Sequence, residues 1–310
     1  MQNLERTGER RCQVTGYDAR ALPEEWSGLF DLVLCDAPCS GEGMMRKNAL
    51  ASEEWSLMNV RTCAHRQREI LEEAARVLAP GGRLVYSTCT FSPEENEETV
   101  CALLDGHPEL ELIPACPAVC EASAPGVSPE GSGRDLTLTR RFYPHRFRGE
   151  GQYLALFRKA GEDAPRPLPA EKPVRVPAEK ERCARAFLES VLFSAPEEKM
   201  IFRGDDVYLV PPGGLPEKTC VSPGVLVGTL TKGRLEPHHR FFKAFADRFR
   251  RRVILSPEDA RVEAYLRGEE IPLEGEAGWA VLYCGDCPLG GVKIVSGRGK
   301  NAYPKGLRKV

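Results

Sequence analysis

The chain has 310 residues, 42% of them hydrophobic and 28% charged, which excludes wholesale disorder and allows one large domain or two ordinary ones. Lys and Arg number 43 against 45 Asp and Glu, so the net charge of −2 excludes any nucleic-acid binding that does not come from a local basic patch. No run reaches the ~18 apolar residues of a membrane span, and the twelve cysteines follow no signal peptide, so they read as thiols of a cytoplasmic protein.

Cys12 to Asp18 is a short mixed run closing in a polar turn. Leu29 to Cys35 is almost continuously apolar, as expected of a strand buried in a parallel sheet. It stops at Asp36-Ala37-Pro38-Cys39-Ser40-Gly41-Glu42-Gly43, a breaker-rich loop. A helix is predicted from about Val60 to Leu78, with Ile70, Leu71, Ala74, Ala75, Val77 and Leu78 on one face and Pro80-Gly81-Gly82 as its stop. Arg83 to Tyr86 resumes as a strand and runs into Ser87-Thr88-Cys89-Thr90, completing a βαβ unit. Ser92-Pro93-Glu94-Glu95 reads as a capping box, with Ser92 as N-cap and Glu95 three residues later. A further strand is expected at Gln152 to Phe157. Residues 161–180 carry five prolines among charges and read as an extended linker. Beyond it come a helix near Ala184 to Leu192 and short strands at Asp206 to Val210, Val225 to Leu230, Trp279 to Tyr283 and Gly291 to Val295. That rhythm suggests a small mixed or barrel-like module. The expected division is 1–160, a linker over 161–180, and 181–310.

Cys39 and Cys89 both follow strands of the βαβ unit, at the carboxyl edge where open α/β sheets bind ligands. If those strands pair, the two cysteines become neighbours about 5 Å apart. Free cysteines are commonly buried and inert, but a place in polar loops at this edge favours reactivity. A helix starting at the capping box would point positive charge at Cys89 and lower its pKa. Two segments are basic. Lys232 to Arg252 holds eight Lys and Arg with His238, His239, Phe241, Phe242, Phe245 and Phe249 interleaved, and the phenylalanines read as an apolar inner stripe. Gly290 to Val310 holds six Lys and Arg and no acid. Both suggest a phosphate-facing surface. Cys284 and Cys287 form a lone C-x-x-C with no second pair, so no metal site is expected.

The loop at 36–43 and the segment Tyr86-Ser87-Thr88-Cys89-Thr90-Phe91-Ser92-Pro93-Glu94-Glu95-Asn96-Glu97 resemble the two cysteine motifs of the Sun/Nop RNA cytosine-C5 methyltransferases. Arg141 to Gly151 resembles a later motif of that family, and Leu289 to Arg308 is similar to the RNA-binding tail of its bacterial small-subunit rRNA branch. The resemblance implies an α/β fold: a partial Rossmann-like methyltransferase sheet lacking its first strands, then a small β-rich RNA-binding module ending in a PUA-like domain at about 253–310. It implies S-adenosylmethionine (SAM)-dependent methylation of cytosine C5 in RNA, with 16S rRNA as partner and neither a membrane nor an obligate protein partner. Cys89 would be the nucleophile and Cys39 would assist release. Asp18, Asp36 and Pro38 would line the cofactor, and Arg46, Lys47, Lys293, Lys300, Lys305 and Arg308 would contact RNA. Two other classes compete: a non-catalytic RNA-binding protein, and a DNA cytosine-C5 methyltransferase using Cys39 as nucleophile. The family's glycine-rich loop is not found before Cys12. The expectation is therefore that residues 1–310 alone bind SAM very weakly and that the strand near Leu32 presents an exposed apolar edge.

Overall fold

The computed structural model describes residues 2–129, 131–162 and 176–309. It divides into two compact units, Tyr17–Pro167 and Met1–Gly16 with Leu168–Val310.

In the first unit, β1 (Phe30–Asp36) pairs in parallel with β2 (Leu78–Thr88), and α1 (Leu57–Val77) makes the crossover. Ser56 caps α1 by accepting from the Asn59 amide at 3.1 Å, the usual service of an N-cap hydroxyl. The helix buries Val60, Ala64, Gln67, Leu71, Ala74, Ala75 and Val77. It ends earlier than the sequence suggests. Leu78 is already extended and opens β2, so Pro80-Gly81-Gly82 lies within the strand instead of stopping the helix. Phe30 pairs with Leu78 but Leu32 with Arg83, so these residues form a bulge, with Gly81 at a φ of +77° that favours glycine.

The remaining strands are β3 (Leu110–Leu112), β4 (Ala124–Pro125), β5 (Arg140–Phe142) and β6 (Gln152–Lys159). Sheet order is β1-β2-β6-β5-β4, with β3 also on β6. Leu71, Ala75, Leu84, Tyr86, Val100, Tyr153 and Phe157 form the core between one sheet face and the helices. β1 is an edge strand. Cys35 packs into the core, while Leu32 and Leu34 on the opposite face are 57% and 70% exposed, the exposed edge expected from the sequence.

The capping box does not form. The helix after Cys89, α2 (Glu97–Gly106), starts later with Asn96 before it, and residues 93–96 make a turn. The Ser92 hydroxyl donates to Glu94 at 2.6 Å, and the Glu95 side chain turns into the interior.

At the carboxyl end of α2, His107 bridges Glu72 of α1 at 2.8 Å and Glu109 at 3.0 Å. Burial opposes its protonation, but the two carboxylates outweigh it and the His107 pKa lies above the ordinary value. A raised folded-state pKa means that the bridge stabilises below the unfolded value, ~6.5, and is lost as pH climbs through the folded one. Both carboxylates are well exposed, so screening leaves about 0.5 kcal/mol. The unfolding midpoint in urea should fall slightly from pH 6 to pH 8, and His107→Gln should flatten that dependence.

In the second unit, the strands at Arg234–Pro237, Val225–Thr231, Asp206–Val210 and Lys199–Arg203 form one antiparallel sheet. A five-stranded sheet follows in the order Arg252–Leu255, Gly278–Cys284, Cys287–Val295, Arg298–Asn301, Ile271–Pro272. The helix Ala178–Val191 and the phenylalanines 241, 242, 245 and 249 are packed together in one core, the inner stripe expected of those rings. Cys284 and Cys287 are free thiols paired across the hairpin between two strands.

Two sequence expectations change here, and a third falls mostly outside the described residues. Residues 1–16 were grouped with 17–160, but Val14–Thr15 pairs antiparallel with Cys220–Ser222 and belongs to the second unit. A two-residue strand carries too little pattern to name its partner. The segment Lys232 to Arg252 is not a uniform phosphate-facing surface. Arg240 is 1% exposed, donates to Ser222 at 3.0 Å, and its interior position excludes phosphate contact. Most of the linker expected at 161–180 lies outside the described residues, although Pro177 is seen just ahead of the helix at Ala178.

Candidate active site

The ends of β1 and β2 carry the two cysteine loops side by side. Parallel pairing continues past Asp36 through a hydrogen bond from the Ala37 amide to the Ser87 carbonyl, 3.1 Å, which carries the loops in step. Cys39 Sγ and Cys89 Sγ are 3.1 Å apart, and the Cys89 amide donates to Cys39 Sγ at 3.2 Å. Both thiols are half-buried, whereas Ser40, Thr88 and Thr90 beside them are fully buried.

Each cysteine is held on both flanks. For Cys39, Gln67 Nε2 of α1 donates to the Pro38 carbonyl at 2.9 Å and to Glu95 at 2.8 Å. Glu95 also accepts from the Ser40 amide at 3.0 Å and from the Ser40 hydroxyl. For Cys89, the Thr88 hydroxyl donates to Asn96 Oδ1 at 2.6 Å, and Asn96 Nδ2 donates to the Thr90 carbonyl at 3.0 Å. Glu42 ties the loops together from the other side, accepting from the Thr90 hydroxyl at 3.1 Å and the Phe91 amide at 2.9 Å. The Gly43 amide adds a bond to the Cys89 carbonyl at 2.8 Å. A Cβ at Gly43 would lie 2.5 Å from the Gly151 carbonyl oxygen and 2.9 Å from that of Cys89, so the close approach requires glycine.

The pair is electrostatically unequal. Cys89 is held down to about 7, chiefly by the hydrogen bond from Cys39, against burial that works the other way. Cys39 is pushed far up, first by that same bond to the Cys89 thiolate and then by its own burial. Both shifts run in the direction of a thiolate on Cys89 and a proton on Cys39, because a thiol hydrogen bond favours the charged partner. The depression of Cys89 comes from Cys39 and not from a helix N-terminus, since α2 begins eight residues beyond it (97 − 89).

Asp36, at the end of β1, accepts from the Ser87 hydroxyl at 3.0 Å and is otherwise open to solvent. Pro38 is exposed, with its carbonyl taken by Gln67. Asp18 is exposed and gripped by Arg20 through bonds of 3.0 and 2.7 Å, which hold its carboxyl well below the usual range. Phe91, Tyr143 and His145 stack in sequence at 5.8 and 5.4 Å between ring centroids. Arg46 is largely exposed and reaches the Gly149 carbonyl at 3.1 Å, and Lys47 is exposed. In the second unit, Lys300 and Lys305 are exposed, and Lys293 lies over the Trp279 ring at 5.5 Å. Arg308 differs from them: it packs against Gly268 and donates to the Tyr303 carbonyl at 3.4 Å. Among the described residues no cluster of His, Cys, Asp and Glu is arranged to hold a metal.

Sequence reasoning missed Glu95, Gln67, Ser40, Asn96 and Glu42 as parts of this site. One signal was available: Gln67 is a polar residue inside the apolar stripe Val60, Ala64, Leu71, Ala74 of α1.

Residues 1–158 match the family described as 16S rRNA methyltransferase RsmB/F, and residues 252–309 match the methyltransferase RsmF PUA domain. The chain is similar to ribosomal RNA small subunit methyltransferase F of Shewanella sp. strain MR-4, with 28% identity over 99% of this chain and 66% of the relative. The protein of the same name from Erwinia tasmaniensis is 30% identical over 98% of this chain and 64% of its own length. The chain thus spans about two thirds of the length of the curated relatives it matches. The crystal structure of NSun6 from Pyrococcus horikoshii with SFG is 34% identical over 47% of this chain and 34% of that one, with a TM-score of 0.36. Two cysteine loops joined at the carboxyl edge of a parallel strand pair stand within a family match that covers half the sequence, and the chain belongs to the 16S rRNA methyltransferase RsmB/F family.

Proposed function

We propose that the protein methylates C5 of a cytosine in RNA, with 16S rRNA as the substrate, through a covalent bond between Cys89 and C6 of the base. The observation that carries this reading is the 3.1 Å contact between Cys39 Sγ and Cys89 Sγ at the carboxyl edge of the parallel strand pair. Cytosine C5 is too poor a nucleophile to take a methyl group unaided. Addition of the Cys89 thiolate to C6 gives C5 enamine character, while N3 takes up a proton from solvent and returns it to solvent when the adduct breaks down. Such splitting of one hard step into two is nucleophilic catalysis. Asp36 accepts from the exocyclic amino group of the base, a role open to its exposed carboxylate.

SAM supplies the methyl group when bound. Such a ligand's amino and hydroxyl groups need acceptors, and the described residues offer Asp36, which is open, and Asp18, which is exposed and bonded to Arg20. Once Cys89 is spent as a thioether, Cys39 loses the partner that raised its pKa and gives its proton to solvent. The Cys39 thiolate then takes the C5 proton. The C5–H electron pair forms the C5=C6 bond, the C6–S bond breaks, and its pair returns to Cys89 as thiolate. The resemblance of the segment around Cys89 to the later cysteine motif of the family, within the family match over residues 1–158, supports Cys89 as nucleophile over the DNA-type alternative with Cys39 in that role. The carboxyl-terminal module, with Lys293, Lys300 and Lys305 on its surface, is read as the RNA-holding part.

The test is release of tritium from 16S rRNA carrying [5-³H]cytosine, assayed with the whole protein and SAM. Tritium release in equal amount to methyl incorporation is expected. Methyl incorporation without tritium release would place the methyl elsewhere and overturn the reading.

A further inference from the structure

Glu95 is fully buried, yet it is no helix cap and no partner of a cation in its vicinity: its three donors are the Ser40 amide, the Ser40 hydroxyl and Gln67 Nε2. Gln67 passes the same anchor on to the Pro38 carbonyl. A single carboxylate thus fixes the residues before and after Cys39. Its own position is set from the β2 side, where the Tyr86 hydroxyl donates to the Glu95 carbonyl at 2.6 Å. Glu95 follows Cys89 by six residues (95 − 89) in the same segment, so it ties the loop of one cysteine to that of the other. Burying a carboxyl is costly unless its bonds are made, and here two are made to Ser40 and the third to Gln67, which itself holds the Pro38 carbonyl of the same loop.

We propose that Glu95 is the positioning residue that sets the Cys39 thiol against Cys89, and thereby controls release of the covalent intermediate. This inference rests on the proposed two-cysteine reaction. Ser40 and Pro38 move if the clamp opens, and Cys39 moves with them. The S–S contact lengthens, Cys89 loses the hydrogen bond that favours its thiolate, and Cys39 no longer reaches the C5 proton. Addition at C6 slows, and elimination slows more, because it needs Cys39 in contact with the reacting base. Burial pushes the Glu95 carboxyl up, so the clamp carries a further requirement that this group stay hydrogen-bonded throughout the cycle.

The experiment compares Glu95→Gln with Cys39→Ala and the unaltered protein. Two readouts are taken: covalent protein–RNA complex surviving SDS after incubation with unmethylated 16S rRNA and SAM, and the pH dependence of Cys89 alkylation by iodoacetamide, followed by peptide mass. With native near-UV circular dichroism, Glu95→Gln is expected to accumulate the RNA complex and to shift the alkylation midpoint from about 7 toward the ordinary thiol value of about 8.5. A natively folded Glu95→Gln that fails in either readout, while Cys39→Ala traps RNA, overturns the role of Glu95. Absence of trapping in Cys39→Ala overturns instead the reaction on which it rests. Should Glu95→Gln unfold, Ser40→Ala, which removes one of the three donors, carries the same readouts, and the same results decide.

Discussion

Cys39→Ala should convert the enzyme into a trap, with RNA remaining attached to Cys89, whereas Cys89→Ala should form no adduct at all. The asymmetry follows from the order of events at the paired sulfurs. With Cys39 gone, Cys89 loses its hydrogen-bond donor and its pKa rises from about 7 toward about 8.5, so at pH 7 the thiolate fraction falls by up to about 16-fold. Addition is slowed by that modest factor. Elimination, however, loses its base, and removal of a positioned general base costs on the order of 10²–10⁴ in rate. The slow step therefore moves to release, and the complex accumulates. Raising the pH to 9 should restore addition without restoring release and so increase trapping. Cys89→Ala leaves no sulfur at the position that attacks C6, while the backbone amide of residue 89 still donates to Cys39 Sγ. Gel electrophoresis in SDS of labelled 16S rRNA with each variant reads the difference. Trapping by Cys89→Ala and none by Cys39→Ala would reverse the two roles.

Arg141→Met should destabilise the first unit by about 3–5 kcal/mol. Arg141 of β5 and Glu97 at the start of α2 are both buried, with Nε to Oε1 at 2.6 Å and a second bond between NH2 and Oε2. The remaining capacity of the pair is satisfied: the Val127 amide donates to Glu97 at 3.1 Å, and Arg141 donates to the Phe91 carbonyl at 2.9 Å. Removing the cation leaves a carboxylate in the interior with one backbone donor, and the cost is desolvation without its Coulombic return. Methionine keeps an unbranched apolar stem but loses the guanidinium that lies over the Tyr153 ring at 5.7 Å, so the double variant is needed to separate charge from packing. The double variant Glu97→Gln/Arg141→Met should recover a large part of the loss, because no uncompensated charge remains. Urea unfolding of the unaltered protein and the two variants checks both statements. Equal loss in the single and double variants would assign the effect to packing. The Phe91 carbonyl also sits two residues from Cys89, so the single variant should loosen the site as well as the fold.

The strand pair, its crossover helix and the nearness of Cys39 to Cys89 could be read from sequence because each rests on local pattern. An apolar run ended by Pro and Gly, a 3.6-residue stripe, and two loops after parallel strands leave few arrangements. Glu95 could not be read in the same way. Ser92-Pro93-Glu94-Glu95 satisfies a helix-cap pattern within four residues, while its actual partners stand 55 and 28 residues away (95 − 40 and 95 − 67). Tertiary hydrogen bonds outweighed a local signal worth about 1 kcal/mol. Arg240 failed for a related reason: charge in a basic run says surface, but the neighbouring phenylalanines carry it into the core. The early end of α1 shows a third limit, since a bulge and a helix stop both use Pro and Gly.

The pairing of Val14–Thr15 with Cys220–Ser222 has a consequence for how the molecule is made. Thr15 leaves the ribosome 205 residues ahead of its partner Cys220 (220 − 15). At ~5–20 residues per second, that interval is roughly 10–40 s. All of Tyr17–Pro167, with its own core, is synthesised within it. Such a unit folds in far less time than that, so β1, β2 and the cysteine site are assembled while the amino-terminal strand still waits for its partner. The second unit closes only after the first has been made, and it closes around a strand synthesised before that first unit.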